Sequence, residues 1–166
     1  MIVNIALLTV TDTRTLKTDK SGNILVGKIT KANHNLVDRK ICKDSKKAIK
    51  KILKHWIKKK NIDVIITTGG TGLTGRDITP EALEEIADKH IPGFGEIFRT
   101  LSLKTVGTSS IQSRACAILA NGKYIFALPG SSGGVTDAWN KILVHQLDIN
   151  HKPCNFVELF PRLKEK

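Results

Sequence analysis

The chain has 166 residues, enough for one domain with a sizeable core, and 40% of them are apolar, as in ordinary globular proteins. Its formal charge of +12 raises the question of a polyanionic partner, but much of the excess sits in one lysine-coated segment with no interleaved aromatics, which argues against a base-stacking platform. Strand-length apolar runs, an opening without a signal-peptide pattern and three scattered cysteines (Cys42, Cys116, Cys154) argue against a membrane span, a disulfide framework or a zinc site, and for a reducing, cytoplasmic setting.

The elements alternate along the chain. Ile2 to Val10 reads as a strand, Gly22 to Ala32 as a helix and Leu36 to Cys42 as a second strand. From Lys46 to Lys60, apolar Ala48, Ile49, Ile52, Leu53, Trp56 and Ile57 recur at helical spacing, with Asp44 and Ser45 as candidate N-caps. Asp63 to Thr68 is Val/Ile-rich without alternation, as in a parallel strand covered on both faces. Thr79-Pro80-Glu81 signals a helix start, with Thr79 as hydroxyl cap and the helix running to about His90. Pro92-Gly93 breaks it, and a further helix follows over Phe94 to Leu103. Ala115 to Ala120 and Tyr124 to Leu128 are strands joined at Asn121-Gly122, a hairpin signal. Ser131 to Gly134 lead into a closing helix whose apolar face carries Val135, Ala138, Trp139, Ile142 and Leu143; Pro153 to Lys166 read as irregular. This order predicts a single α/β domain over residues 1–166, a three-layer sandwich with a mainly parallel sheet, helices on both faces and one β-hairpin. Ligands then bind beyond the carboxyl ends of the strands, where the loops after Val10, Cys42, Thr68 and Leu128 meet.

The loop Gly69-Gly70-Thr71-Gly72-Leu73-Thr74-Gly75-Arg76-Asp77 is the most informative stretch. Gly70, Gly72 and Gly75 fit a dinucleotide fingerprint, but the next helix signal waits until Thr79, whereas that fingerprint opens a helix at once. They also fit the first half of a phosphate-binding P-loop, but Arg76-Asp77 stands where Lys and Ser/Thr belong. What both motifs share survives. Glycines let backbone N–H groups converge on an anion, Thr71 and Thr74 add hydroxyls, and Asp77 adds a carboxylate suited to Mg²⁺ beside phosphates.

Thr67-Thr-Gly-Gly-Thr-Gly72, Arg76-Asp-Ile-Thr-Pro-Glu-Ala82 and Pro92-Gly-Phe-Gly-Glu96 together resemble the MoaB/Mog family of molybdenum cofactor biosynthesis. The likeness continues in Gly107-Thr-Ser-Ser-Ile-Gln-Ser-Arg114 and Leu128-Pro-Gly-Ser131. The ending, Gln146-Leu-Asp148 and Pro153-Cys-Asn-Phe156, is similar to the MoaB branch. The sequence departs from the pattern at Ala32-Asn33-His34, where a glycine precedes the histidine in the family, and at Ser132-Gly133-Gly134. The resemblance implies a homotrimer or trimer-based homohexamer that binds molybdopterin and adenylylates its terminal phosphate with MgATP, releasing pyrophosphate. It places the two functional aspartates at Asp44 and Asp77.

Adenylyl transfer between two polyanions needs positioning and charge neutralisation more than a base. The expected catalytic and Mg²⁺-holding residues are therefore Asp44 and Asp77, with Asp12 a further candidate. The expected nucleotide and pterin contacts are Gly69, Gly70, Thr71, Gly72, Thr79, Pro80, Glu81, Pro129, Gly130 and Ser131, with Ser109, Ser110, Ser113 and Arg114 as a second anion cradle. Two other readings stand beside the enzyme: a non-catalytic molybdopterin-binding oligomer of the same pathway, and, more remotely, a basic nucleic-acid binder without sequence specificity.

Overall fold

The computed structural model describes residues 1–165. Its strands are β1 (Asn4–Val10), β2 (Asn35–Cys42), β3 (Val64–Thr68), β4 (Lys89–His90), β5 (Cys116–Ala120) and β6 (Lys123–Leu128). Its helices are α1 (Lys20–Lys31), α2 (Lys46–Trp56), α3 (Thr79–Glu84), α4 (Pro92–Val106), α5 (Ser132–Ala138) and α6 (Val144–Gln146). A π turn (Trp139–Leu143) joins α5 to α6, and 3₁₀ turns cover Gly107–Gln112 and Val157–Arg162. The six strands form one sheet in the order β2-β1-β3-β6-β5-β4. The pairs β1–β2, β1–β3 and β3–β6 are parallel, while β5 runs antiparallel to both β6 and β4.

Side-chain alternation divides this sheet between two apolar layers. Ile5, Leu7, Val64, Ile66, Phe126 and Leu128 face α1, α4 and the closing helix, where Leu25, Ile29, Phe94, Phe98, Val135, Trp139 and Leu143 pack. Ala6, Leu8, Ile65, Ile118, Ile125 and Ala127 face the other way, against Ile49, Leu53 and Trp56 of α2 and Ala82 and Leu83 of α3. Every residue of β3 and β6 is buried, which explains strands that read as unbroken apolar runs. The hairpin expected at Asn121-Gly122 is present, with both residues at positive φ (49° and 71°), as a two-residue turn of the primed kind requires.

Three expectations need correction. The helix from Thr79 ends at Glu84, not near His90. Residues 89–90 instead pair with Ile118 and Leu119, and Asp88 N–H donates to the Leu119 carbonyl (2.8 Å), because the outer edge of β5 otherwise leaves its backbone groups unpaired. Pro92 opens α4 rather than breaking a helix: its missing N–H and fixed φ suit a first turn, and the helix continues to Val106. Thr79 does not cap α3 with its hydroxyl; Ile78 occupies the N-cap position, and the Thr79 hydroxyl donates to the Gly69 carbonyl (2.8 Å).

The sequence departure at Asn33 has a backbone explanation. Asn33 adopts φ 57°, a left-handed conformation that asparagine tolerates better than most residues, so it serves where a glycine is expected. The tail, expected to be irregular, forms the turn Val157–Arg162 and packs Phe156 and Phe160 on Tyr124, with ring centroids 4.6 and 5.8 Å away. Cys42 and Cys116 are half-buried, with burial pushing each thiol up to about 11, whereas Cys154 is exposed. No helix among the described residues is long and apolar enough to cross a membrane.

Candidate active site

Parallel pairing brings the strand ends together. Val10 lies beside Cys42, Thr9 beside Thr68 and Thr68 beside Leu128. Thr11 N–H donates to the Cys42 carbonyl (2.9 Å) and Gly69 N–H to the Leu128 carbonyl (3.0 Å), so the loops leaving β1, β2, β3 and β6 share one rim.

The glycine loop is shaped by contacts that exclude side chains. Gly69 sits at φ 99°, and a Cβ there would lie 2.2 Å from the Val10 carbonyl oxygen. Gly70, at φ 67°, would place a Cβ 2.4 Å from the Thr79 hydroxyl and 3.3 Å from Asp44 Oδ1. Thr79 is fully buried; its N–H donates to the Gly70 carbonyl (3.0 Å) and its hydroxyl to that of Gly69, fastening the loop to α3. Thr79 therefore acts on the loop from beneath rather than facing a ligand.

Asp44 and Asp77 flank this loop from opposite ends. Asp44 follows β2, and Ser45, not Asp44, caps α2: its hydroxyl accepts from Ala48 N–H (3.5 Å). Asp44 is thereby left to the rim, where its own N–H donates to Asp12 Oδ1 (3.2 Å). Asp77 Oδ2 accepts from both the N–H (2.9 Å) and the hydroxyl (2.6 Å) of Thr74, closing the loop on itself. The two carboxyls are pushed in opposite directions. Partial burial, and then the charge of Asp77, raise Asp44 above the usual carboxylate range. For Asp77, partial burial is outweighed by hydrogen bonds from Thr74 and Gly72 and by the Arg114 charge, which hold it below that range. Asp12 is ion-paired with Arg76 across the same rim.

Arg114 takes a different position from a cradle residue. Its Nε donates to the Gly72 carbonyl (2.7 Å), its Nη2 to the Asp77 carbonyl (2.6 Å) and its Nη1 to Glu81, while its N–H donates to the Thr71 carbonyl (2.9 Å). The guanidinium thus braces the loop from behind, and Glu81 is its counter-ion, with that hydrogen bond lowering Glu81. Pro80 lies in the first turn of α3, and neither it nor Glu81 lines the cleft described next.

In front of the loop is a cleft of about 1020 Å³. It is walled by Gly70, Thr71, Gly72 and Asp77, by Ser109, Ser110 and Ser113, and by Pro129, Gly130 and Ser131, all singled out in the sequence. Phe98, Ser102, Thr105 and Val106 of α4, together with Thr136 and Asp137 of α5, also line it. Phe98 and Ser102 lie in the helix read over Phe94 to Leu103 and Thr136 and Asp137 in the closing helix, while Thr105 lies beyond the end read for the first; only the fold turns them toward the loop. The lining contains no Lys or Arg among the described residues, and Asp137 is paired with Lys141 (2.9 Å). An anion entering here meets backbone N–H groups, hydroxyls and the start of α5, where Ser131 accepts from Gly134 N–H (3.1 Å).

A smaller hollow of about 270 Å³ adjoins the cleft across Gly130, Ser131 and Ser132, and includes Gly69, Arg14, Lys20 and Asp19. Asp19 went unnoticed in the sequence although it is 1% exposed. It accepts from the Thr9 hydroxyl (2.6 Å), Gly22 N–H (2.9 Å), the Ser21 hydroxyl (3.2 Å) and Arg39 (3.0 Å). An Asp two residues before Ser-Gly at a helix start was the available signal, an N-cap that is also a buried ion-pair partner.

Among the described residues no group of three or more His, Cys, Asp or Glu is arranged to hold a metal. Asp44 and Asp77 nevertheless suit Mg²⁺, which characteristically takes one or two carboxylates and completes its shell with water and substrate phosphates.

Known proteins share this sequence and fold. A domain family described as "Probable molybdopterin binding domain" matches residues 6–149. The chain is 44% identical over 161 residues to molybdenum cofactor biosynthesis protein B of Escherichia coli K12, covering 97% of this chain and 93% of that protein. It is 40% identical over 147 residues to the protein of that name from Bacillus subtilis 168, covering 88% and 86%. A crystal structure of molybdenum cofactor biosynthesis protein B superposes with a TM-score of 0.90 at 37% identity, covering 100% of this chain and 98% of the other. The tungsten cofactor synthesizing protein MoaB of Pyrococcus furiosus superposes at 0.77 with 34% identity, covering 86% and 91%. With a molybdopterin-binding domain spanning most of its length and close relatives that share its fold, the chain belongs to the MoaB/Mog family of molybdenum cofactor biosynthesis proteins.

Proposed function

We propose that this protein adenylylates the terminal phosphate of molybdopterin, with MgATP as donor. A phosphate oxygen of the pterin attacks the α-phosphorus of ATP; the new P–O–P bond forms as the bond to the β-phosphate breaks, and pyrophosphate leaves. The nucleophile is already anionic, so the protein's task is to align two polyanions. The observation that carries this reading is the placement of Asp44 and Asp77 about one glycine loop, with helix capping delegated to Ser45.

Bound Mg²⁺ would supply charge neutralisation of the triphosphate and of the leaving pyrophosphate. Asp44 and Asp77 are the residues to hold it, and a cation there would relieve the rise that burial and then the Asp77 charge impose on Asp44. The amides of Gly70 and Thr71 and the hydroxyls of Thr71, Ser109, Ser110, Ser113 and Ser131 hold phosphate oxygens at the cleft wall. Arg14 and Lys20 give the adjoining hollow the side-chain cations that the cleft lining lacks. Arg114 and Thr79 keep the loop in its binding shape without touching substrate.

The test is incubation of the purified chain with molybdopterin and MgATP, followed by detection of adenylylated pterin and pyrophosphate. Pterin binding without either product would replace the enzyme by a binding oligomer of the same pathway.

A further inference from the structure

Away from the cleft, the start of α4, the π turn, α6 and the loop after it bound a hollow of about 400 Å³ that shares no lining residue with the glycine-loop cleft. His145 and His151 both line it, with ring centroids 5.4 Å apart and planes tilted by 40°. That separation leaves room for one ion shared between the two rings. A zinc-class ion binds imidazole nitrogen at roughly 2.0–2.1 Å, so two rings on one tetrahedral ion have centroids about 5 Å apart.

Both rings are presented by ordered backbone. His145 lies on α6, directly after the π turn. His151 sits in a loop tied down by buried Asn155, whose amide donates to the His151 carbonyl (3.0 Å) and the Ile149 carbonyl (3.3 Å) while its oxygen accepts from Glu158 N–H (3.0 Å). These contacts occupy the His151 backbone and leave both imidazoles without a protein hydrogen bond among the described residues. The nearby cations are already neutralised: Lys141 by Asp137 (2.9 Å) and Lys152 by Glu158 (2.6 Å).

We propose that His145 and His151 form a two-imidazole site for a borderline divalent transition metal such as Zn²⁺. Water completes the coordination, since no third protein ligand stands by among the described residues. Imidazole favours Zn²⁺, Ni²⁺ and Cu²⁺ over Mg²⁺, so this site and the aspartate pair select different ions.

The experiment is calorimetric titration of the full chain with ZnCl₂ at neutral pH and in excess MgCl₂. One Zn²⁺ per chain is expected. His145→Ala and His151→Ala should each weaken it at least tenfold, and His151→Gln, which keeps the side chain's bulk, should do the same. His55→Ala and Asp44→Asn should leave it unchanged, with fold verified by circular dichroism. Wild-type Zn²⁺ affinity in either histidine variant overturns the assignment, as does absence of binding to the wild type at millimolar Zn²⁺.

Discussion

At the scale of single residues, the informative contrast is between Asp44 and Asp77, identical side chains pushed in opposite directions. Asp77→Asn keeps the side chain's shape while removing the charge. Under the proposed chemistry it should lower turnover about 10²-fold, the usual scale for one electrostatic contact made in the transition state. Pterin affinity should stay within a few-fold. Asp44→Asn should act in the same direction, and the double variant should lose less than the two single losses combined, because both residues serve one phosphate–metal unit. Wild-type turnover in both single variants would reduce the aspartates to loop supports. Stability gives an independent reading. A folded-state carboxyl raised above its unfolded value of 3.8 makes its ionised form a cost, so stability falls as pH rises through the interval between the two values. Asp44→Asn should therefore raise Tm at pH 7 even as it lowers turnover. Solvent screening limits the gain to below about 1 kcal/mol, or roughly 1–3 °C. Asp77 has the opposite sign: its contribution is present above 3.8 and is lost as pH falls below that value. A Tm that drops in Asp44→Asn at pH 7 would contradict the like-charge account.

At the scale of elements, the sequence is legible where periodicity and turn chemistry are strong and silent where the fold decides. The parallel strands β1 and β3, the Asn121-Gly122 hairpin and the apolar stripe of α2 follow from local pattern. Strand β4 is two residues long, too short for any period, and exists because β5 has an edge to pair. Arg114 shows the same limit within the site. Its place in a serine-rich stretch suggests a phosphate ligand, yet the hairpin aims its guanidinium at the carbonyls of Gly72 and Asp77. Arg114→Ala should therefore act through the loop. Two carbonyls and Glu81 lose their partner, which costs about 2–3 kcal/mol and lowers Tm by roughly 5–10 °C. Pterin affinity and turnover should fall together, and Arg114→Lys should rescue neither, because an ammonium cannot reproduce the three-pronged fork. Unchanged thermal stability in Arg114→Ala would return this residue to the substrate side. Ser45→Ala is the matching control on α2. Losing the cap should cost about 1 kcal/mol, while turnover survives because Asp44 is untouched.

At the scale of the whole molecule, charge and apolar exposure point to different surfaces. The lysines of α2 form a solvated face, with Lys46 and Lys50 paired to Glu85, and Lys59 just beyond the helix is paired to Asp38. Among the described residues, large apolar side chains stay exposed near the cleft. Leu103 and Val106 of α4 are 52% and 55% exposed, and Ile111 of the following turn is 82% exposed. Leu103, Val106 and Ile111 leave large apolar side chains in water at the C-terminal end of α4, a surface of the kind that marks an interaction site. We expect it to be the contact between copies in the trimer that the family resemblance implies, and the argument can be tested without reference to chemistry. Ile111 is largely exposed in the 3₁₀ turn, so Ile111→Asp should leave the fold intact while placing a charge in the contact. A desolvated, unpartnered carboxylate opposes association strongly, because the cost of burying it recurs in every copy. Sedimentation should give a trimer or its dimer for the wild type and a concentration-dependent shift to monomer for Ile111→Asp, with an unchanged circular dichroism spectrum. Because Ser109, Ser110 and Val106 wall the cleft from the same segment, dissociation should also weaken pterin binding. A monomeric wild type would remove the oligomer from the account. An undiminished trimer in Ile111→Asp would move the interface to another face.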